Sequence, residues 1–383
     1  GGLGRRGEGE KLQLAKKLQI YKDRSMTRFN KECYPLAWSS LCFLLLSVPA
    51  VPIHADSLNV LSDALRLWYT QPATQWTEAL PIGNGRLGAM VYGGIEQEHL
   101  QLNEDTLWSG GPHCYDNPNA YKHLATVREL LERGQYAKAE ATAENMLGIH
   151  KYQQAYMPLG DLFLDFPKSE EPSDYRRELN LQNAVSKVTY RIGKTHFKRQ
   201  VFASHPDQAI VVRLECDTPG RITFDLSMTS PHDFHSQSTA NNALLMTGRV
   251  GPRTGEGASG ARRLIGPWEG PGTRFAALVK VVADGGTVAA HGDRISVRDS
   301  DAVTLVYVAA TSFVNFQDVS ADPVKRVEDY IARVVDTSYE QLYQRHVEDY
   351  SSLFDRVAIN LGATGTDESL PTDERLEKAN EGG

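Results

Sequence analysis

A chain of 383 residues, 41% hydrophobic with a net charge of −7, holds enough apolar side chains for a packed core and is not a disordered polymer. The acidic balance excludes nucleic acid as a partner, because binding phosphates needs a concentrated basic face. The length allows two or three domains or one large β-sandwich with companions, and no apolar run of about 18 residues in the body of the chain could span a membrane.

Residues 1–25 begin without Met and are expected to be an upstream extension that takes no part in the fold. From Met26 the pattern changes. Arg28 and Lys31 form a basic start, LCFLLLSV (41–48) is a short apolar core, and Val48-Pro49-Ala50 and Ile53-His54-Ala55 offer two small-residue exits. Residues 26–55 therefore read as a secretory signal peptide; the run is too short for a membrane helix and is broken by Pro49 and Pro52. The expectation is export to the periplasm or the extracellular space, with no membrane attachment after cleavage. Cys33 and Cys42 would leave with the signal, and Cys114 and Cys216 permit one disulfide at most, with nothing in the sequence to place them together. No CxxC and no zinc-type His/Cys spacing occurs, so neither metal nor cofactor is expected.

From residue 65 to about 110 the chain is extended: LRLWY, RLGAMVYGG and EHLQLN alternate or run apolar over strand lengths. Within this stretch LPIGNGRLGAMVYGG (80–94) places five glycines in fifteen residues that otherwise suit a strand. Glycine there marks a bulge or a close approach of another backbone. NEDTLWSGGP (103–112) follows, mixing amide, carboxyl, hydroxyl and indole groups in one turn. A glycine-kinked hairpin with a polar turn accounts for these residues structurally. A turn that meets a ring-shaped polar ligand accounts for them functionally.

A helical insertion comes next. Leu124, Val127 and Leu131, then Ala139, Ala143 and Leu147, recur at helical spacing, with Gly134 and Gly148 as stops, and predict a helix pair laid on the sheet. Strand signals then return about every ten residues: LGDLFLDF, YRRELNL, VSKVTYRI, THFKRQVFAS, AIVVRLEC and RITFDLSM, an irregular region, then ALLMTGRV, RFAALVKVVA, GTVAAHG, RISVR and AVTLVYVAA. That spacing is the signature of an antiparallel sandwich, and a dozen or more strands require two large stacked sheets. Residues 249–273, with seven glycines and three prolines, predict a long loop carrying Trp268; they lack a phosphate-cradling pattern.

After the sandwich, Asp322-Pro323 opens one helix and the capping box Ser338–Gln341 opens another. On the second, Tyr339, Tyr343, His346, Tyr350 and Phe354 form a stripe that predicts packing on the sandwich, and so places His346 in a core rather than in catalysis with Asp349. Beyond residue 362 the chain is polar, contains Pro371 and has the composition of a linker.

The glycine-rich strand and the NEDTLWSGGP turn together resemble the amino-terminal domain of glycoside hydrolase family 95, the α-L-fucosidases. YMPLGDLFLDF (156–166), YRRELNLQNAV (175–185), AATSFVNFQDVSADP (309–323) and RHVEDYSSLFDRVAINLG (345–362) resemble the same family in the same order, from about residue 65 onward. The resemblance implies a mainly β fold: a large antiparallel β-sandwich, or supersandwich, over residues 65–315 with a small helical insertion, a helical linker over 316–362, and a polar linker over 363–383 that leads to a missing catalytic domain. It also implies inverting hydrolysis of terminal α-L-fucosyl linkages in fucosylated oligosaccharides or glycans, carried out in an (α/α)6 barrel.

Inversion needs an acid and a base roughly 6.5–9.5 Å apart. A barrel of twelve helices needs roughly 350 further residues, whereas 21 follow Gly362, so the barrel is expected to be absent here and no catalytic residue is carried over. The carboxylates of the sandwich make a poor substitute: Glu104 and Asp105 point to opposite faces of a strand, and Asp161 and Asp165 share a solvent-side alternation. Asn103, Glu104, Trp108 and Ser109 are the candidates for a substrate-pocket rim or a surface docking on the barrel, since aromatic rings stack on sugars and amides bond their hydroxyls. A stand-alone carbohydrate-binding sandwich and a related sandwich-plus-barrel glycosidase or phosphorylase are the alternatives. The capped helices and the linker favour the first reading, because a self-sufficient binding module needs no lead into another domain.

Overall fold

The computed structural model describes residues 65–112, 114, 116–148, 154–250, 272–359 and 369–381, all within the unit His54–Gly383. The expected upstream extension, the signal peptide and the loop bearing Trp268 lie outside the described residues.

The strands are, in chain order, β1 (Arg66–Tyr69), β2 (Leu80–Gly83), β3 (Leu87–Val91), β4 (Gln97–Glu104), β5 (Gly160–Asp165), β6 (Ser173–Asn180), β7 (Val185–Ile192) and β8 (Thr195–Ser204). They continue as β9 (Ala209–Cys216), β10 (Ile222–Thr229), β11 (Asp233–Thr239), β12 (Ala243–Arg249), β13 (Arg274–Asp284), β14 (Thr287–His291), β15 (Arg294–Ser300) and β16 (Ala302–Thr311). They form a nine-stranded sheet, β1-β6-β7-β8-β9-β16-β13-β12-β11, and a seven-stranded sheet, β14-β15-β10-β5-β4-β3-β2, with antiparallel pairing throughout. The mainly β, two-sheet architecture expected from the ten-residue spacing is the one observed.

Alternation decides which sheet faces water. In β3, β4 and β5 every second residue is buried, so Leu87, Ala89, Leu100, Leu102, Leu162 and Leu164 enter the core between the sheets. β16 is buried at all ten positions, AVTLVYVAAT, because helices cover its other face. Those helices are separated from the inter-sheet core by the sheet itself: Val308 and Ala310 meet Val327, Val334 and Leu342 in a second apolar cluster.

Among the described residues four α-helices lie beside the sheets and a fifth follows. α1 (Tyr121–Glu132) and α2 (Tyr136–Ala143) form the insertion between β4 and β5. They were expected to lie on the sheet; instead they pack mainly on each other, α1 has no buried residue, and Tyr121 and Tyr136 stand in solvent. A helical period fixes which residues share a stripe but not what that stripe faces. α3 (Pro323–Ala332) starts as predicted, with Asp322 Oδ1 accepting from Val324 N (2.9 Å) and Lys325 N (3.3 Å). α4 (Tyr339–Phe354) carries the predicted capping box, and its aromatic stripe packs on β8.

Two elements depart from the sequence reading. β11, DFHSQST, lies in the stretch left irregular; it is an edge strand, paired only with β12 and exposed at most positions, so apolar alternation never develops. α5 (Thr372–Glu381) forms where composition predicts an unstructured linker. Asp373 and Glu374 in its first turn and Lys378 in its last suit the helix dipole, and Trp68 N donates to Thr372 Oγ1 (3.0 Å), tying it to β1. Cys114 and Cys216 are both free thiols.

Candidate functional site

Six segments from different parts of the chain meet at one end of the sandwich. β4 and β16 finish there, β5 and β13 begin there, and the β2–β3 and β8–β9 turns close over it. Polar side chains stitch these loops together. Asn84 Nδ2 donates to Ser204 O (2.9 Å), and Arg86 donates through Nε to Gln208 Oε1 (2.7 Å), Nη2 to Gln208 O (3.0 Å) and Nη1 to Ala309 O (2.5 Å). The same guanidinium lies 4.6 Å from the centre of the Tyr330 ring on α3. Thr106 Oγ1 and Thr311 Oγ1 share a hydrogen bond of 2.5 Å.

Glu104 ends β4 with its side chain turned inward, 3% exposed, and Asp105 beside it points to solvent. Glu104 Oε2 accepts from Thr106 N (2.8 Å) and Thr106 Oγ1 (2.7 Å), while Oε1 lies 3.5 Å from Arg86 Nη1. Burial pushes its carboxyl above the ordinary carboxylate range against these partners. Tyr307 is buried beside it; its hydroxyl finds no hydrogen-bond partner, and burial raises its pKa with Glu104 adding to the effect. Glu104 is thus part of the joint that holds the rim, and its carboxylate is not presented to a ligand.

The next residues build the rim itself. Trp108 is 46% exposed, with Nε1 donating to Asp105 O (3.0 Å), so the ring face is what it offers to solvent. Tyr156, also half-exposed, stands against it at 5.6 Å between ring centres and a tilt of 59°, and the two residues form an isolated bridge. Ser109 is buried: it donates from Oγ to Gln154 Oε1 (3.0 Å) and accepts from Ala155 N (2.9 Å). Asn103 is half-buried on the outer face of the seven-stranded sheet, in register with Gly88, which is itself paired with Gly83. Of the four residues singled out in the sequence, Trp108 faces outward, Asn103 lies on the open sheet face, and Glu104 and Ser109 turn in to brace the turn. Tyr156, Arg86 and Gln208 were not singled out: Tyr156 sits in a segment quoted for resemblance only, and a cross-chain polar partner leaves no local pattern.

The glycine-rich strand has a structural account. Glu98 is fully buried, with Oε1 accepting from Gly93 N (2.8 Å) and His99 N (3.1 Å). Its Oε2 lies 3.0 Å from Nε of the buried Arg199 without hydrogen-bond geometry, and Arg199 Nη2 donates to Gly94 O (2.8 Å). Gly93 has φ +76°, and a Cβ there would come 2.7 Å from the Tyr175 hydroxyl. A Cβ on Gly94 would run into the carbonyl of Gln97. These glycines let the β3–β4 turn close over a buried ion pair.

The remaining carboxylates do not assemble an acid–base pair. Asp161 Oδ1 meets His99 Nε2 (2.6 Å), Asp165 Oδ1 accepts from Gln97 Nε2 (2.6 Å), and Asp349 lies 3.9 Å from His205 Nδ1. His346 is buried, stacked on Phe202 at 4.8 Å, with Nε2 bonded to Asn183 O (2.8 Å); burial lowers its pKa and keeps the ring neutral in the core, as its place on the apolar stripe predicts. Among the described residues no group of three or more His, Cys, Asp or Glu side chains is gathered as a metal site requires.

Residues 67–316 match the glycosyl hydrolase family 65 N-terminal domain, and residues 338–383, beginning at the cap of α4, match the glycosyl hydrolase family 95 catalytic domain. Alpha-L-fucosidase 2 of Arabidopsis thaliana is 37% identical over 325 residues, covering 81% of this chain and 38% of that protein. Probable alpha-fucosidase A of Aspergillus niger is 29% identical over 82% of this chain and 40% of its own length, and that of Aspergillus oryzae 27% identical over 81% and 44%. The chain therefore spans about two-fifths of the curated relatives it matches. A putative kojibiose phosphorylase from human microbiome aligns with a TM-score of 0.43 at 8% identity, over 80% of this chain and 40% of that one.

Proposed function

This chain belongs to the glycosyl hydrolase family 65 N-terminal domain family, in the form that leads into a family 95 catalytic domain, and on that premise we propose that it is the non-catalytic front of an exported α-L-fucosidase. The 37% identity to a protein named alpha-L-fucosidase 2, running on into the family 95 match over 338–383, carries the reading. Its substrates are then terminal α-L-fucosyl groups on oligosaccharides or glycans, and the acid and base that hydrolyse them belong to the catalytic domain.

The carboxylates described above support this division of labour. A general acid must reach the glycosidic oxygen and a base must hold water on the opposite face of the sugar. Glu104 is sealed inside the rim joint, and Asp161 and Asp165 are engaged on an open sheet face with His99 and Gln97. The sandwich supplies shape instead, with Asn103, Trp108 and the braced Glu104–Ser109 turn facing the catalytic domain at the substrate entrance.

The 383-residue chain assayed alone on 4-nitrophenyl α-L-fucoside should give no turnover, whereas a protein that continues through the family 95 domain should release nitrophenol. Robust release by the purified chain would sink the proposal. In the longer protein, Trp108→Ala should weaken substrate binding or domain docking. Loss of a stacking ring is worth about 0.5–1.5 kcal/mol, or roughly two- to tenfold in KM. Unchanged kinetics together with unchanged melting would remove Trp108 from the rim.

A further inference from the structure

The loop after β16 ends in a tip that the function above does not use. Phe316 on it is 80% exposed, more than any other large hydrophobic side chain among the described residues, and Val314 beside it is 46% exposed. The backbone that carries them is strongly held. Asn315 N and Val314 N both donate to Asp318 O (3.1 and 2.9 Å), and Asp318 N returns a bond to Asn315 O (3.0 Å). Asn315 Oδ1 accepts from Gln317 N (2.9 Å) and Asp318 Oδ1 from Ser320 N (2.8 Å).

The stem is equally constrained. Ser312 N donates to Arg274 O (2.8 Å), Ala321 N to Ser312 O (3.1 Å), and Arg274 Nη2 to Ala321 O (2.9 Å). Arg326, one turn into α3, donates through Nη1 to Thr311 O (2.9 Å) and Phe313 O (2.6 Å). The tip is therefore fixed at once to the rim, through Thr311 and Thr106, and to the helix that carries the chain onward.

We propose that Phe316 is an anchor residue that inserts into an apolar pocket of the family 95 catalytic domain and fixes that domain against the rim. A rigid turn that holds an aromatic ring in water has already met its ordering cost, which favours binding, and aromatic anchors in desolvated pockets carry a large share of interface energy. Asn315 Oδ1 and Asp318 Oδ1 accept from the backbone amides of Gln317 and Ser320, so these two acceptors hold the turn while the phenyl ring stands clear of it. The catalytic-domain match begins at residue 338, close after the tip, and this chain spans about two-fifths of the curated relatives it matches, whose remaining length would supply the partner. This inference rests on a family 95 domain continuing the chain and not on fucose being its substrate.

The test compares Phe316→Ala and Phe316→Leu in two settings, this chain alone and a protein continued through the family 95 domain. In the longer protein, Phe316→Ala should speed limited proteolysis between sandwich and catalytic domain about tenfold or more and split or lower the thermal transition; Phe316→Leu should restore most of the protection. In this chain alone, neither variant should shift the melting temperature, because the side chain is already 80% exposed there. Unchanged proteolysis and melting in the longer protein would overturn the proposal. So would an equal loss of stability in this chain alone, or a raised KM with unchanged proteolysis, which would assign Phe316 to the sugar. If wild-type longer protein fails to cleave fucosides yet Phe316→Ala still loosens the domain, the substrate reading falls and the anchor stands.

Discussion

Replacing Arg199 by Met should destabilise the sandwich by about 3–5 kcal/mol, read as a fall in the guanidinium unfolding midpoint, because it strands the fully buried Glu98 carboxylate. The pair costs more in lost hydration than its attraction returns: burial outweighs Arg199 and the amides of Gly93, His99 and Gly94, and the Glu98 carboxyl is held above the ordinary carboxylate range. A carboxyl raised in the folded state stabilises the fold below its unfolded pKa and loses that contribution as pH rises through the folded value. Without Arg199 the raise becomes larger, so the penalty of Arg199→Met should be smallest near pH 4 and grow toward neutral pH. The double variant Glu98→Leu with Arg199→Met should recover most of the loss, since removing both charges removes the desolvation cost as well. A single variant that unfolds like wild type at pH 7 would show that water reaches the pair.

Gly94→Ala should cost about 3–4 kcal/mol, because the added Cβ collides with a backbone carbonyl, that of Gln97, which cannot swing aside as a side chain would. The turn it distorts is the one whose carbonyl at Gly94 accepts from Arg199 and whose amide at Gly93 donates to Glu98. Gly85 provides the comparison. It has φ +88° but open space around its Cβ position, so Gly85→Ala pays only for the left-handed backbone, about 1–2 kcal/mol. Urea midpoints of the two variants separate the causes; equal losses at both sites would mean that the Gln97 carbonyl gives way and that the clash costs no more than a left-handed backbone.

These glycines illustrate how far a sequence reaches. Five in fifteen residues announce a backbone under close approach, and the structure supplies that approach at Gly93 and Gly94. At Gly94 the approach is local, from the Gln97 carbonyl, but at Gly93 it is the Tyr175 hydroxyl on β6, and the arginine that bonds the Gly94 carbonyl is Arg199 on β8; no local pattern names either residue. The capping signals at Asp322 and Ser338 were legible for the opposite reason: a cap is a bond between residues two or three apart, so its chemistry is written where it acts. The helical insertion shows the limit from the other side. Its stripe was visible, yet α1 and α2 face each other and solvent, since an apolar stripe specifies burial without specifying the partner.

By itself, then, the sequence determined most of the elements, the two-sheet class and the turn from Asn103 to Ser109, because strand alternation, turn residues and caps act over a few residues. Only the tertiary structure decided that Trp108 opens to solvent against Tyr156 while Glu104 and Ser109 turn inward, and that Arg86 ties two turns, the strand β16 and a helix into one rim. The physical reason is that exposure and cross-chain hydrogen bonds depend on which segments the core brings together, and that is settled by the packing of the whole sandwich rather than by any stretch of it.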